Sequence, residues 1–412
     1  MDDARLPTMF ELTPLNPAYR TDPYAVLASL RTRCPVKHDE MMSSFLLTRY
    51  EDVRPLVSDL TLWRDPLRGE EELIKRRFGA EAAALMEGPR SETSSILTLD
   101  DPDHARIRQP LAQALYARVA KFKPEVERIV AATLDRIDAS GPFDLMSAFC
   151  VPIPIDVIAS ILGVDPDRLN EFRAWSEGVI QSLNPFRGEE QTKVMETCSE
   201  ALNAYFTALI EQRRADPRDD LISDMVRLQM GGAELSDVEL RINLSALLIG
   251  GNLTTTDLIG NGVRLLLLNP PELAKLRADP SLINAVVEET LRYEPPVDVT
   301  GRVASRDMEV GGCPVKQKQS LTMFLRAANR DPEVFENPDA FDVTRAKKPH
   351  IAFGGGAHIC IGAPLARLEA QVALPRLFER FPTLRLAEPA AAPVWRALPF
   401  FRGLERLELV AD

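Results

Sequence analysis

Apolar positions recur three and four residues apart along most of this chain, the spacing of helices that bury one face. DPYAVLASLRTRC (22–34) and RYEDVRPLVSD (49–59) predict short amphipathic helices, and SSFLLTR between them predicts a strand. KPEVERIVAATLDRI (123–137) and SEALNAYFTALIEQRRADP (199–217) predict longer helices. Strand patterns are few, DMEVGGCPV (307–315) and GLERLELV (403–410) being the better two. The expected fold is mainly α with a minor β part.

The clearest helix starts at Ser236. In SDVE the serine caps the first turn and Glu239 reaches back, a capping box, and the apolar pattern then runs to Leu268, before Asn269, Pro270 and Pro271 end it. At 1.5 Å per residue this helix spans about 50 Å, so it must cross the core. Its middle, LLIGGNLTTTDLIG (247–260), sets glycines, Asn252, three threonines and Asp257 inside an apolar helix, against propensity and burial rules together. Two readings stay open: close helix packing at the glycines with threonines bonding back to carbonyls, or a groove facing a ligand. Downstream, NAVVEETLRYEPP (284–296) puts Glu289 and Arg292 on one helical face, spaced to pair.

Composition narrows the class. The 412 residues contain no linker-like run, repeat or low-complexity segment, so one large domain over 1–412 is expected. With 49 basic and 61 acidic residues the net charge is −12, which argues against a general nucleic-acid binder. The first residues carry no signal pattern and no apolar run reaches membrane-spanning length, so a soluble, cytoplasmic protein without a membrane partner is expected. Five cysteines, odd in number and far apart, do not suggest a disulfide framework, and no CxxC offers zinc-ligand spacing. Cys360 therefore has to be explained singly, inside FGGGAHICIG (353–362), where four glycines mark backbone that turns sharply or approaches something closely.

These pieces together resemble the cytochrome P450 family of haem-thiolate monooxygenases, of the soluble bacterial type. LTLDDPDHARIR, GGNLTTT, EETLR, ANRDPEVFENPDAFDVTR, FGGGAHICIG and APLARLEA follow one another in the family's order, and Phe353, Gly356, His358, Cys360 and Gly362 match the cysteine motif position by position. The resemblance implies haem b lying between the long helix and the cysteine loop, with Cys360 as thiolate ligand of the iron and Phe353 and Gly356 beside it. It implies that His104, Arg108, Arg302 and His358 hold the propionates. It also makes Glu289 and Arg292 a structural pair whose third partner often comes from the NPDAF region. Ala340 stands there where an arginine is common, leaving Arg345 as a substitute.

In the same family the long helix carries an acid followed by a threonine that together deliver protons to dioxygen. Gly250, Gly251 and Thr254 fit, but Leu253 occupies the acid's place. Gly251, Thr254 and Asp257 are the expected catalytic positions, with Asp257 and a water standing in for the acid; an Asn252-bound water chain or no acid at all are the alternatives. Ile96, Leu97, Leu247, Val297, Val299, Phe400 and Phe401 are expected to line an apolar pocket for a small hydrophobic substrate. Arg76 or Arg77 could steer an acidic one, or simply form a solvated face. The implied reaction inserts one oxygen atom from O2, by hydroxylation or oxidative dealkylation. Electrons would come from a ferredoxin and its NAD(P)H-dependent reductase, docking near Arg118, Lys121 and Lys347. A peroxide-driven or atypical relative acting on a carrier-bound substrate, and a non-enzymatic haem sensor, are the competing readings.

Overall fold

The computed structural model describes residues 5–40, 42–78, 89–184, 186–346 and 349–411, and the side chains at 76–78 and 183 fall outside that description. The chain is mostly helical with small sheets. Its axis is the helix Asp237–Leu268, started by the expected capping box: Ser236 Oγ accepts from the Glu239 N–H (3.1 Å) and Glu239 Oε2 from the Ser236 N–H (2.8 Å). Helices Pro152–Leu162, Glu189–Ala215, Ile283–Tyr293 and Ala363–Arg380 pack around it. From Thr255 to Val263 every residue is buried, so this half of the helix has no solvent face and must be apolar or internally paired all round.

Close packing in this helix belongs to a later pair of glycines than the pattern suggested. A Cβ on Gly260 would lie 2.7 Å from Met146 Sδ, and one on Gly262 3.2 Å from Leu374, whereas one on Gly250 would meet nothing within 4 Å. The helix is thus tight at 260–262 and open on one side at Gly250.

The larger sheet orders Val36–Asp39, Ser44–Leu47, Ser320–Phe324 and Val299–Val303, with the middle two strands parallel and the outer pairings antiparallel. Its inner face and the helix Tyr50–Ser58 enclose a second core around Leu47, Val53, Leu321 and Phe335. The strand expected in SSFLLTR forms here, and DMEVGGCPV makes a two-stranded hairpin. GLERLELV divides between two small sheets: Leu404–Arg406 pairs with Val394–Trp395, and Glu408–Val410 with Phe143–Asp144 and Arg385–Leu386. The helix expected from Ser199 begins at Glu189. Among the described residues no helix is long and apolar enough to cross a membrane.

Candidate functional site

The cysteine loop passes over the end of the Tyr50–Ser58 helix. Gly356 has φ +63°, and a Cβ there would sit 2.9 Å from Ser58 Cα, so only glycine fits in conformation and in space. The Cys360 N–H donates to the Phe353 carbonyl at 3.0 Å, and the cysteine side chain is left exposed. Burial by the surrounding protein still pushes its thiol up, while the N–H groups of Gly362 and Ala363 and the guanidinium groups of Arg108 and Arg367 pull the other way. Helix Ala363–Arg380 begins three residues on, its positive end favouring an anionic sulfur. Arg367 stacks over the Phe353 ring at 4.5 Å and is held by Glu288 at 2.7 and 2.9 Å, which fixes that ring beside the loop.

Four basic side chains from three distant segments meet next to it. The rings of His104 and His358 lie 4.1 Å apart, and His104 Nε2 is buried with no hydrogen-bond partner among the described residues. Arg302 donates to the Val57 carbonyl at 2.9 Å, and Arg108 donates to the Ile359 carbonyl. A cavity of about 160 Å³ is lined by His104, Arg302 and His358 together with Val57, Trp63 and Asp100. Burial, then the positive neighbours His104, Arg64, Arg302 and Arg108, push His358 down to about 2. Such crowding of donors is relieved by anionic groups placed among them.

In the long helix Gly250, Gly251, Leu253 and Thr254 are not buried, whereas Thr255 and Thr256 are, and Gly251 turns toward Ile158, 3.5 Å from where a Cβ would sit. The Thr254 hydroxyl donates to the Gly250 carbonyl at 2.8 Å, the back-bonding expected of a threonine in this turn. The reading of Asp257 as a proton relay is corrected. Its carboxylate is wholly buried, pairs with Arg396 at 2.8 Å, and lies against Gly403 so tightly that a Cβ there would sit 1.8 Å from Oδ1. Three residues of helix turn it from Thr254 toward the C-terminal hairpin, whose arginine captures it. The Asn252 alternative also points elsewhere: its Nδ2 donates to Ser176 Oγ at 2.9 Å on a neighbouring helix.

The comparisons agree with this geometry. The family described as "Cytochrome P450" matches residues 69–388. The chain belongs to the cytochrome P450 family. It is 40% identical over 371 residues to "Cytochrome P450 107B1" of Saccharopolyspora erythraea, covering 89% of each chain. It is 36% identical to the "6-deoxyerythronolide B hydroxylase" of the same organism, over 96% of this chain and 97% of the other. Among solved structures it resembles P450BioI in complex with an acyl carrier protein carrying hexadec-9Z-enoic acid, with TM-score 0.86 and 32% identity over 96% of this chain and 100% of that one.

A cytochrome P450 of this class is a haem-thiolate monooxygenase that uses O2, a substrate and a redox partner. The residues present fit haem: a cysteine with backbone donors, a buried His104 Nε2 with no hydrogen-bond partner among the described residues, and the Arg108 and Arg302 guanidinium groups beside two imidazoles, able to meet two carboxylates. In this P450 Glu289 and Arg292 are joined at 2.7 and 2.8 Å, and Arg345 supplies the third partner at 3.1 Å to Glu289. The carbonyl of Ala340 accepts from both arginines and so helps to hold Arg345 beside Glu289.

Of the expected pocket residues, Val297 bridges Phe401, and the N–H of Asp298, next to Val299, donates to the Phe400 carbonyl at 2.9 Å, bringing these two segments together. Ile96 and Leu247 are buried and Leu97 is exposed. Sequence reasoning missed what places them. Asn243 Oδ1 accepts from the Ile96 N–H at 2.9 Å, and Arg64 links the carbonyls of Leu97 (2.9 Å) and Gly301 (2.6 Å). The buried asparagine in an apolar helix was a usable signal; Arg64 offered none. For the docking surface, Arg118 is corrected, being committed to Asp224 and Asp219 at 2.5 and 3.1 Å. Lys121 is exposed, and Lys347 and the side chains of Arg76 and Arg77 lie outside the described residues.

Proposed function

We propose that this P450 hydroxylates or oxidatively dealkylates a hydrophobic substrate of fatty-acyl or polyketide type, drawing electrons from a ferredoxin and its NAD(P)H-dependent reductase. The observation that carries the reading is the meeting of His104, Arg108, Arg302 and His358 beside the Cys360 loop, with the His104 and His358 rings 4.1 Å apart and Arg108 bonded to the Ile359 carbonyl. Cys360 ligates the haem iron, its sulfur tempered by the Gly362 and Ala363 N–H groups. His104, Arg108, Arg302 and His358 bind the propionates. Haem held there supplies dioxygen activation and oxidising power; the protein supplies position, dryness and protons.

Thr254 holds a proton at Oγ1 and, through its bond to Gly250, keeps the helix turn open for a small ligand. Leu253 withholds a carboxylate from that turn, so protons reach Thr254 through water rather than through a side-chain acid. Val297, Val299, Phe400 and Phe401 form one apolar wall, and Ile96, Leu97 and Leu247 the other. The substrate class is argued from the relatives, which include the deoxyerythronolide hydroxylase and the structure carrying an acyl carrier protein. Delivery on a carrier is therefore the second reading. The test is an optical titration of the ferric holoenzyme with myristic acid, its carrier-bound thioester, 6-deoxyerythronolide B and testosterone. A shift to high spin with an acyl or macrolide ligand supports the class, a shift only with the thioester supports carrier delivery, and a response confined to testosterone overturns both.

A further inference from the structure

Behind the wall formed by Val297–Val299 and Phe400–Phe401 sits a buried ion cluster that none of the chemistry above uses. Arg326 is entirely buried, and its guanidinium points three ways: Nε to Asp298 Oδ1 at 2.5 Å, Nη2 to the Pro295 carbonyl at 2.8 Å, and Nη1 to Tyr24 Oη at 2.9 Å and to Glu294. Glu294 also accepts from Arg402 Nε at 3.2 Å and from the Tyr24 hydroxyl at 2.5 Å. Among the described residues Asp298 Oδ2 has no hydrogen-bond partner, so that carboxylate is held by Arg326.

The cluster grips both segments of the wall. Asp298 lies between Val297 and Val299, and Arg402 follows Phe401; the Arg402 N–H donates to the Pro296 carbonyl and the Asp298 N–H to the Phe400 carbonyl, both at 2.9 Å. Phe400 itself is strained, with φ +67°, a left-handed conformation that a bulky residue adopts only at a cost. Strain of this kind persists where the surroundings over-determine it, and here the contact to Asp298 does so. A well-packed apolar plug would serve stability as well as a buried arginine with two acids. What the ions add is a fixed geometry.

We propose that Arg326 is a positioning residue for substrate: acting through Asp298 and Glu294, it sets the gap between segments 297–299 and 400–401, and with it the width of ligand accepted. This rests on the placement of those segments along the pocket. Lysine would keep the charge but not the three-way fork, so Arg326→Lys and Asp298→Asn both release the wall.

The experiment uses ferric holoenzyme and two azoles that bind iron directly, imidazole and 4-phenylimidazole, so that no natural substrate is needed. In both variants 4-phenylimidazole should weaken about tenfold, the scale on which an apolar pocket senses a methylene. Imidazole should change by no more than about twofold. Tyr24→Phe, which keeps every charge, provides the same readout if either variant does not retain haem. If the ratio of the two affinities stays at the wild-type value in the cluster variants but moves in Val299→Ala and Phe400→Ala, the positioning role is wrong and the pocket stands. If it moves in none of them, the pocket placement is wrong and the proposal falls with it.

Discussion

Replacing Asp257 by asparagine separates a structural carboxylate from a catalytic one. Asp257 is fully buried, and burial outweighs the Arg396 guanidinium, so its pKa is raised from 3.8 to about 6. The folded protein therefore takes up this proton below about pH 6, whereas the unfolded chain does so only near 3.8. Between those values the folded state binds more protons, and stability falls as pH rises, by about 3 kcal/mol once the group is fully ionised. The Asp257→Asn variant has no such slope. Urea unfolding of both proteins at several pH values should show the wild type losing stability relative to Asp257→Asn from about pH 4 to pH 6, with a flat difference above. Arg396 is one-quarter exposed and also bonds the Leu404 carbonyl, so losing its partner should cost about 1 kcal/mol or less at neutral pH. Product formed per NAD(P)H consumed should hold within about twofold in Asp257→Asn, while Thr254→Ala diverts turnover to peroxide. A flat or inverted pH difference would refute the burial argument, and uncoupling in Asp257→Asn would restore the relay.

The remaining predictions concern the scaffold. Glu289→Gln leaves Arg292 and Arg345 facing a neutral amide and should cost about 3–5 kcal/mol in urea unfolding, against about 1 kcal/mol for Arg345→Ala at the rim; equal costs would mean that Glu289 is not the centre of the cluster. Burial pushes Glu294 up, but Arg402, Arg326 and Arg330 together outweigh it and hold it down to about 2. Its contribution is complete above the usual 4.5 and is lost as pH falls toward 2, so Glu294→Gln should flatten the acid side of the stability profile, and an unchanged acid limb would contradict the pairing. Gly260→Ala forces Met146 aside and should cost about 1–3 kcal/mol in thermal unfolding, and an unchanged midpoint would contradict the close packing at that turn.

Local rules were enough for much of this protein. The capping box at Ser236, the prolines after Leu268, and the 3.6-residue pattern set the long helix nearly to its ends, because those signals act within a turn of the residues they control. The cysteine motif and the polar interruption at 250–257 announced a site, since glycine and buried polar residues carry a cost that a ligand or a partner must offset. Strands Val36–Asp39, Val299–Val303 and Ser320–Phe324 were not legible, being four or five residues long and held in a sheet whose central pairing, Ser44–Leu47 with Ser320–Phe324, joins segments about 280 positions apart.

Side-chain direction was the other thing that sequence left undecided. Thr254 and Asp257 lie three residues apart, yet one is partly exposed and bonded back to its own helix while the other is sealed by Arg396 and Gly403, which arrive from the far end of the chain. The same holds for Arg326, whose three partners come from segments about 30 to 300 residues away in sequence. The sequence by itself determined which residues could do chemistry and where the helix carrying them begins and ends. Only the tertiary structure decided which of them face the site, because the charge or glycine that turns a buried carboxylate away is a matter of packing between distant segments, and no local pattern encodes it.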